Sequence, residues 1–214
     1  MSWRTLLPAL WALLLFAACS DDETPLPPYR EDLLNVRTDA AGNVCELLRD
    51  DGARFAVWGS EAGLAPDTLY RAMAVYVEEG EEARLVSVAR VLAPLPQAYG
   101  SPIQTTDPVG VEAVWTGGGH INLRLALKTG GLPQAFGFAD GGIATEPGGH
   151  RRLALTLVHD QGADPQYYTR TAYVACPLYP YASLLTAGTD SVTLHVATYE
   201  GARTWSFAFP GLPS

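Results

Sequence analysis

The chain has 214 residues, 48% hydrophobic and 17% charged, with 21 Gly, 16 Pro, 3 Cys and a formal charge of −9. So much apolar material with so little charge excludes a mostly disordered chain, because burial can offset the ordering entropy. Three cysteines exclude a disulfide-scaffold miniprotein, and an acidic chain whose single lysine is Lys128 is expected to have no nucleic-acid partner, since phosphate binding needs Lys and Arg to displace counterions.

The first segment is not part of the fold. Arg4 supplies a positive start, Leu6 to Phe16 is an unbroken apolar run, and Ala17-Ala18-Cys19 ends it with small residues. That run is about half of the ~20 residues a membrane-spanning helix needs, so 1–18 reads as a signal peptide. Cys19 directly after two alanines resembles a bacterial lipobox, with Phe16 where Leu is usual. The resemblance implies that Cys19 becomes the acylated first residue of the mature chain, a partner of the membrane through its lipid; at ~0.8 kcal/mol per buried CH₂, several acyl chains anchor stably. Ser20-Asp21-Asp22-Glu23 resembles the export signal that sends lipoproteins to the outward side of the outer membrane in anaerobic Gram-negative gut bacteria; the plainer alternative is a solvated acidic tether. Thr24 to Pro28 is a stiff, Pro-rich spacer, completing a tether over 19–32.

Charge and punctuation divide the remainder. Residues 20–108 carry a net −9 and residues 109–214 a net −1. Prolines 94, 96, 102 and 108 with Gly100 mark 94–108 as a linker between domains at 33–93 and 109–214. In the first domain, Leu33 to Thr38, Val44 to Leu48, Phe55 to Trp58, Tyr70 to Val77 and Arg84 to Leu92 are candidate strands. Asp51-Gly52 and Glu79-Gly80-Glu81 are the hairpin turns, and five strands in so short a span suit a small, partly open barrel. The second domain alternates more cleanly. Ile121, Leu123, Leu125 and Leu127 face one way and Asn122, Arg124, Ala126 and Lys128 the other. The pattern repeats at Leu153 to Leu157, Val192 to Val196 and Trp205 to Phe209. With Val111 to Trp115, Gln134 to Phe138 and Thr171 to Leu178, about seven antiparallel strands predict an immunoglobulin-like β-sandwich. Tyr181 to Leu185 reads as a short helical turn.

The run Trp115-Thr116-Gly117-Gly118-Gly119-His120-Ile121-Asn122 resembles the "W-x-G-G-G-x-(L/I)-N" hallmark of the NigD-like lipoproteins, as does the Cys-Ser-Asp-Asp start at Cys19. The segments Tyr173-Val174 through Leu184-Leu185 and Asp190-Ser191-Val192 look like that family's last hairpin region. The resemblance implies an all-β chain, an OB-like barrel followed by an immunoglobulin-like sandwich. The family's name derives from a bacteriocin gene cluster; it supplies architecture and address, and no catalytic residues.

The residues themselves offer little chemistry. Gly117 to Gly119 lacks the Gly-Lys-Ser/Thr ending and following helix of a phosphate loop, and reads as a wide turn using positive φ. His120, His150, His159 and His195 show no metal-ligand spacing, so neither metal nor cofactor is expected; by phase His120 and His195 face outward and His159 ends an inward row. No Gly-x-Ser-x-Gly elbow is present, and several of the second domain's few acids sit in turn-like surroundings such as Asp140-Gly141. Cys45 and Cys176 are either buried thiols or a disulfide across the domains. Tyr167, Tyr168, Tyr173, Tyr179 and Tyr181 fall close together, and Tyr167 and Tyr168 are the candidate ligand contact. The expected protein is therefore a non-catalytic, lipid-anchored outer-membrane component, displayed outward, that binds an unidentified protein or glycan. The alternatives are a carbohydrate-binding accessory protein and a bacteriocin-associated immunity factor.

Overall fold

The computed structural model describes residues 28–59, 63–98 and 105–211. The signal segment, Cys19 and the tether as far as residue 27 lie outside the described residues.

Five strands build the first unit: β1 (Tyr29–Thr38), β2 (Val44–Leu48), β3 (Arg54–Trp58), β4 (Leu69–Glu79) and β5 (Glu82–Arg90). They close in the order β1-β2-β3-β5-β4, with β3 parallel to β5 and every other pair antiparallel. This is the Greek-key order of an OB-like barrel. It is closed rather than partly open, because β1 pairs with β4 from Tyr29 to Arg37 and, over its second half, with β2 as well. Gly52 makes the β2–β3 turn at φ +92°, its N–H donating to the Arg49 carbonyl at 3.1 Å. Inside, Leu34 and Val36 from β1 meet Leu47, Phe55 and the wholly buried Tyr76, and the small residues Ala72, Ala74 and Ala83 make room for that ring.

The second unit is a β-sandwich. Its smaller sheet, in the order β11-β8-β7, contains β7 (Gly110–Gly117), β8 (His120–Thr129) and β11 (Tyr168–Pro177). The larger, in the order β13-β12-β10-β9-β6, contains β6 (Gln97–Ala98), β9 (Ala135–Thr145), β10 (Arg151–Asp160), β12 (Ser191–Thr198) and β13 (Gly201–Ala208). The inward rows foreseen from the alternation meet between the sheets: Leu123 and Leu125 from one, Leu153, Leu155, Val192 and Leu194 from the other, all wholly buried. Each such leucine contributes roughly 1.5–3 kcal/mol.

Two features depart from an all-antiparallel sandwich. β10 and β12 run parallel, since the chain crosses to β11 in the opposite sheet before returning beside β10. Described parts of the Pro-rich 94–108 segment also lie along the sandwich: β6 pairs with β9, and the Asp107 N–H donates to the His159 carbonyl at 2.9 Å. Just before that segment, the Leu92 carbonyl accepts the Ala175 N–H at 2.9 Å. Asp140-Gly141, read as a turn, is a bulge within β9: Gly141 and Gly142 together oppose Ala154. The helical turn is a 3₁₀ turn at Tyr179–Tyr181, with bonds continuing to Leu185.

Candidate functional site

The outward faces of β1 and β4 rest against the outward face of the smaller sandwich sheet. On a strand, positions flanking a core row normally meet water. Here Asn122, in the outward row of β8, is wholly buried because the barrel covers it. Its carbonyl oxygen accepts Nε of Arg71 at 3.0 Å. The Arg71 side chain is wholly buried and forks onto both carboxylate oxygens of Asp50, at 2.6 Å each, while Nη1 also reaches Asn35 Oδ1 at 3.3 Å. Asn35 then donates to the Gly118 carbonyl at 2.9 Å, and Asn122 to the Gly117 carbonyl at 3.3 Å. Every nitrogen of the guanidinium has an acceptor, so the buried charge is compensated rather than orphaned.

The triple glycine now has a reason residue by residue. Gly118 and Gly119, at φ +58° and +77°, form a tight two-residue turn between β7 and β8, not a wide one. A Cβ at Gly117 would overlap the Asp50 carboxylate, and one at Gly118 would overlap the Arg71 guanidinium. Tight backbone approach, more than turn geometry, demands glycine at 117. His120 is tucked under this turn rather than facing water, its Nδ1 2.8 Å from the Gly118 carbonyl, so that nitrogen carries the proton. Burial, reinforced by the positive charge of Arg71, pushes its pKa down to about 4.

Beside the seam lies an open cleft of about 270 Å³. Glu31, Asp32, Leu33 and Met73 line it from the barrel; Trp115, Arg124 and Tyr173 line it from the sandwich. Asp32 accepts the Tyr76 hydroxyl at 2.8 Å, and Arg124 is held by Glu112 at 2.8 Å. Glu112 is the extra residue of a β7 bulge opposite Arg124.

The five tyrosines do not form one platform. Tyr167 and Tyr168, 81% and 52% exposed, stand together at the entry to β11. Tyr173 lines the cleft, Tyr179 is exposed, and Tyr181 is buried with its hydroxyl on Asp140 at 2.8 Å. Cys45 and Cys176 are free thiols, and Cys176 lies in the sandwich core, where burial pushes its pKa up. His159 is buried, stacked on Phe136 and bonded to Gln134 and the Asp107 carbonyl, while His195 is exposed. Among the described residues no group of His, Cys, Asp and Glu could hold a metal ion. Sequence reasoning passed over Asn35, Asp50, Arg71 and Met73. The Trp115-to-Asn122 motif, with its glycines, was the visible part of the seam and its cleft.

A scan of the sequence against known protein families finds no match, and neither does a search of curated proteins. Solved structures do match. A NigD-like immunity protein from Bacteroides caccae aligns over 85% of this chain and 98% of its own, with a TM-score of 0.65 and 23% identity. The chain has the NigD-like fold. A protein from Parabacteroides distasonis, proposed there to be toxin-related, shares this fold at TM-score 0.65 and 17% identity, over 85% of this chain and 93% of its own. One from Bacteroides fragilis, proposed to be a lipoprotein, does so at 0.63 and 11%, over 86% of this chain and 99% of its own. None of the three is named as an enzyme.

Proposed function

We propose that the chain is a non-catalytic lipoprotein of the cell envelope, anchored at Cys19 in the outer membrane, facing outward, and acting by binding. One observation carries the binding role: the buried Arg71 network fastens barrel and sandwich into one body with an open cleft at their joint. Asp50 is tied to Arg71, and Glu78 to Arg30 and Arg49, an arrangement suited to rigidity more than to acid–base work. The lipobox-like Cys19 and the Ser-Asp-Asp-Glu segment support the address. Mass spectrometry of the processed chain should find acyl groups on Cys19, and proteinase added to intact cells should degrade the protein. A bare thiol, or full resistance on intact cells, overturns the anchor or the outward orientation respectively.

A second reading is an immunity factor, supported by the name of the Bacteroides caccae protein of the same fold. Deleting the gene should then sensitise cells to a toxin encoded beside it. The exposed pair Tyr167 and Tyr168 is a candidate contact under either reading.

A further inference from the structure

The cleft beside the seam combines aromatic surface with hydrogen-bonding groups that have no protein partner. Trp115 pairs with Asn122 across β7 and β8, and Tyr173 pairs with Arg124 across β8 and β11, so both rings stand on the sheet face turned toward the barrel. Leu33 and Met73, cross-strand partners on β1 and β4, form the facing apolar wall. Among the described residues, every buried side-chain nitrogen and oxygen has a partner. The Trp115 indole N–H and the Tyr173 hydroxyl have none, and are therefore open to solvent, as is the unpaired carboxylate of Glu31.

We infer that this cleft is a saccharide site, taking a short neutral stretch of a glycan between the Trp115–Tyr173 wall and the Leu33–Met73 wall. The inference rests on the reading of the protein as a binding component and names its ligand class. The charges select against other ligands. Arg124 is engaged by Glu112, and Asp32 lies 3.4 Å from Arg30, leaving Glu31 as the one unpaired charge of the lining. A phosphate would meet two carboxylates and a guanidinium already neutralised. A hydrocarbon chain would strip water from Glu31 and Arg124 without replacing its hydrogen bonds. A sugar ring offers C–H surface to the aromatic and aliphatic walls, and its hydroxyls both donate to Glu31 and accept from Trp115 Nε1 and Arg124. A volume of about 270 Å³ falls just under the ~300–1,000 Å³ of small-molecule sites, enough for a short segment, and the open shape lets a longer chain continue outward.

The test uses the whole lipoprotein in detergent, run through native gels cast with a neutral β-glucan, a mannan or a starch, and titrated with their oligosaccharides while tryptophan emission is followed. One polysaccharide should retard the protein, and its oligosaccharide should shift the emission. Trp115→Ala should weaken binding roughly tenfold or more. Glu31→Gln and Tyr173→Phe, both at accessible side chains and checked for an unchanged unfolding midpoint, should each weaken it roughly three- to tenfold. Trp115→Phe should keep part of the affinity and lose the emission shift. Tyr179→Ala, at an exposed ring outside the cleft, should bind as the parent does, and Tyr167→Ala with Tyr168→Ala tests the competing contact. Retardation by none of the polymers overturns the inference. So does binding that survives the cleft variants and is lost in the Tyr167/Tyr168 variant, or a cleft that takes an oligolysine peptide instead of any sugar. Acylation of Cys19 and proteinase access are read separately, so failure of the ligand class leaves the envelope reading to stand or fall on its own.

Discussion

Barrel and sandwich hold themselves together by different means. Among the described residues, the sandwich buries eighteen in one cluster, in which leucines from the two sheets pack together. The barrel buries nine, three of them alanines, and its largest core side chain is a tyrosine whose hydroxyl must be satisfied by Asp32. Around that thin core run ion pairs such as Arg37–Glu46–Arg54 and Arg30–Glu78–Arg49. Pairs this exposed contribute about 0–1 kcal/mol each and do not replace apolar area. The sandwich thus carries the larger core, and the barrel leans on it through Arg71, the one wholly buried guanidinium among the described residues. The difference teaches that the seam is part of the barrel's stability, not an optional contact between finished domains.

The largest effect should come from cutting the seam. Arg71→Ala strands Asp50, Asn35 and Asn122, and breaking a buried pair costs about 3–5 kcal/mol. Calorimetry should show one unfolding transition for the parent and two for the variant, the barrel melting first; an unsplit transition in the variant would refute the asymmetry. Gly118→Ala attacks the same network from the sandwich side, so the double variant should fall short of additivity. Leu155→Ala should cost about 2–5 kcal/mol in the sandwich core and lower one unsplit transition, because the barrel loses its support together with the sandwich.

A smaller effect belongs to Asp164, which closes the β8–β9 loop by accepting the N–H groups of Gly130 and Leu132, each at 2.9 Å, along with the Thr129 hydroxyl and the Gln134 amide. These hydrogen bonds outweigh burial and hold its pKa well below the usual carboxylate range. Its stabilisation is complete above the unfolded value of about 3.8 and is lost as pH falls below that range. Asp164→Ala should lower the urea midpoint at pH 7, and the deficit should shrink in strong acid.

His120 sharpens the comparison through pH. Between 6.5 and about 4 the unfolded chain takes up a proton that the folded seam refuses, so stability falls as pH falls through that window. His159, also lowered by burial, acts likewise within the sandwich. His120→Gln should flatten part of the acid dependence of the unfolding transition and leave the part that His159 contributes. The smallest signal is chemical: a maleimide should label the half-exposed Cys45 in the folded protein, and Cys176 only after unfolding.

Strand positions were legible wherever one face alone is buried, as in Leu153 to Leu157, because side chains alternate with period two and the apolar row declares itself. β9 was harder. It runs to Thr145 through two glycines and exposed residues, where the predicted strand ended at Phe138, since a bulged edge carries no alternation. β6 was hidden among prolines. Of the candidate site, the glycines and Asn122 were visible as a motif, while Arg71, Asn35 and Asp50 looked like ordinary surface residues of a charged domain.

What the sequence determined by itself was local: two all-strand units, their inward rows and the turn positions. These follow from polarity repeating along one segment and from backbone angles that glycine alone takes easily. The closed barrel, the parallel β10–β12 pair and the seam were decided only in three dimensions. Each depends on which distant surface covers a given residue, and a strand's outer face reads as polar whether water or another domain lies against it.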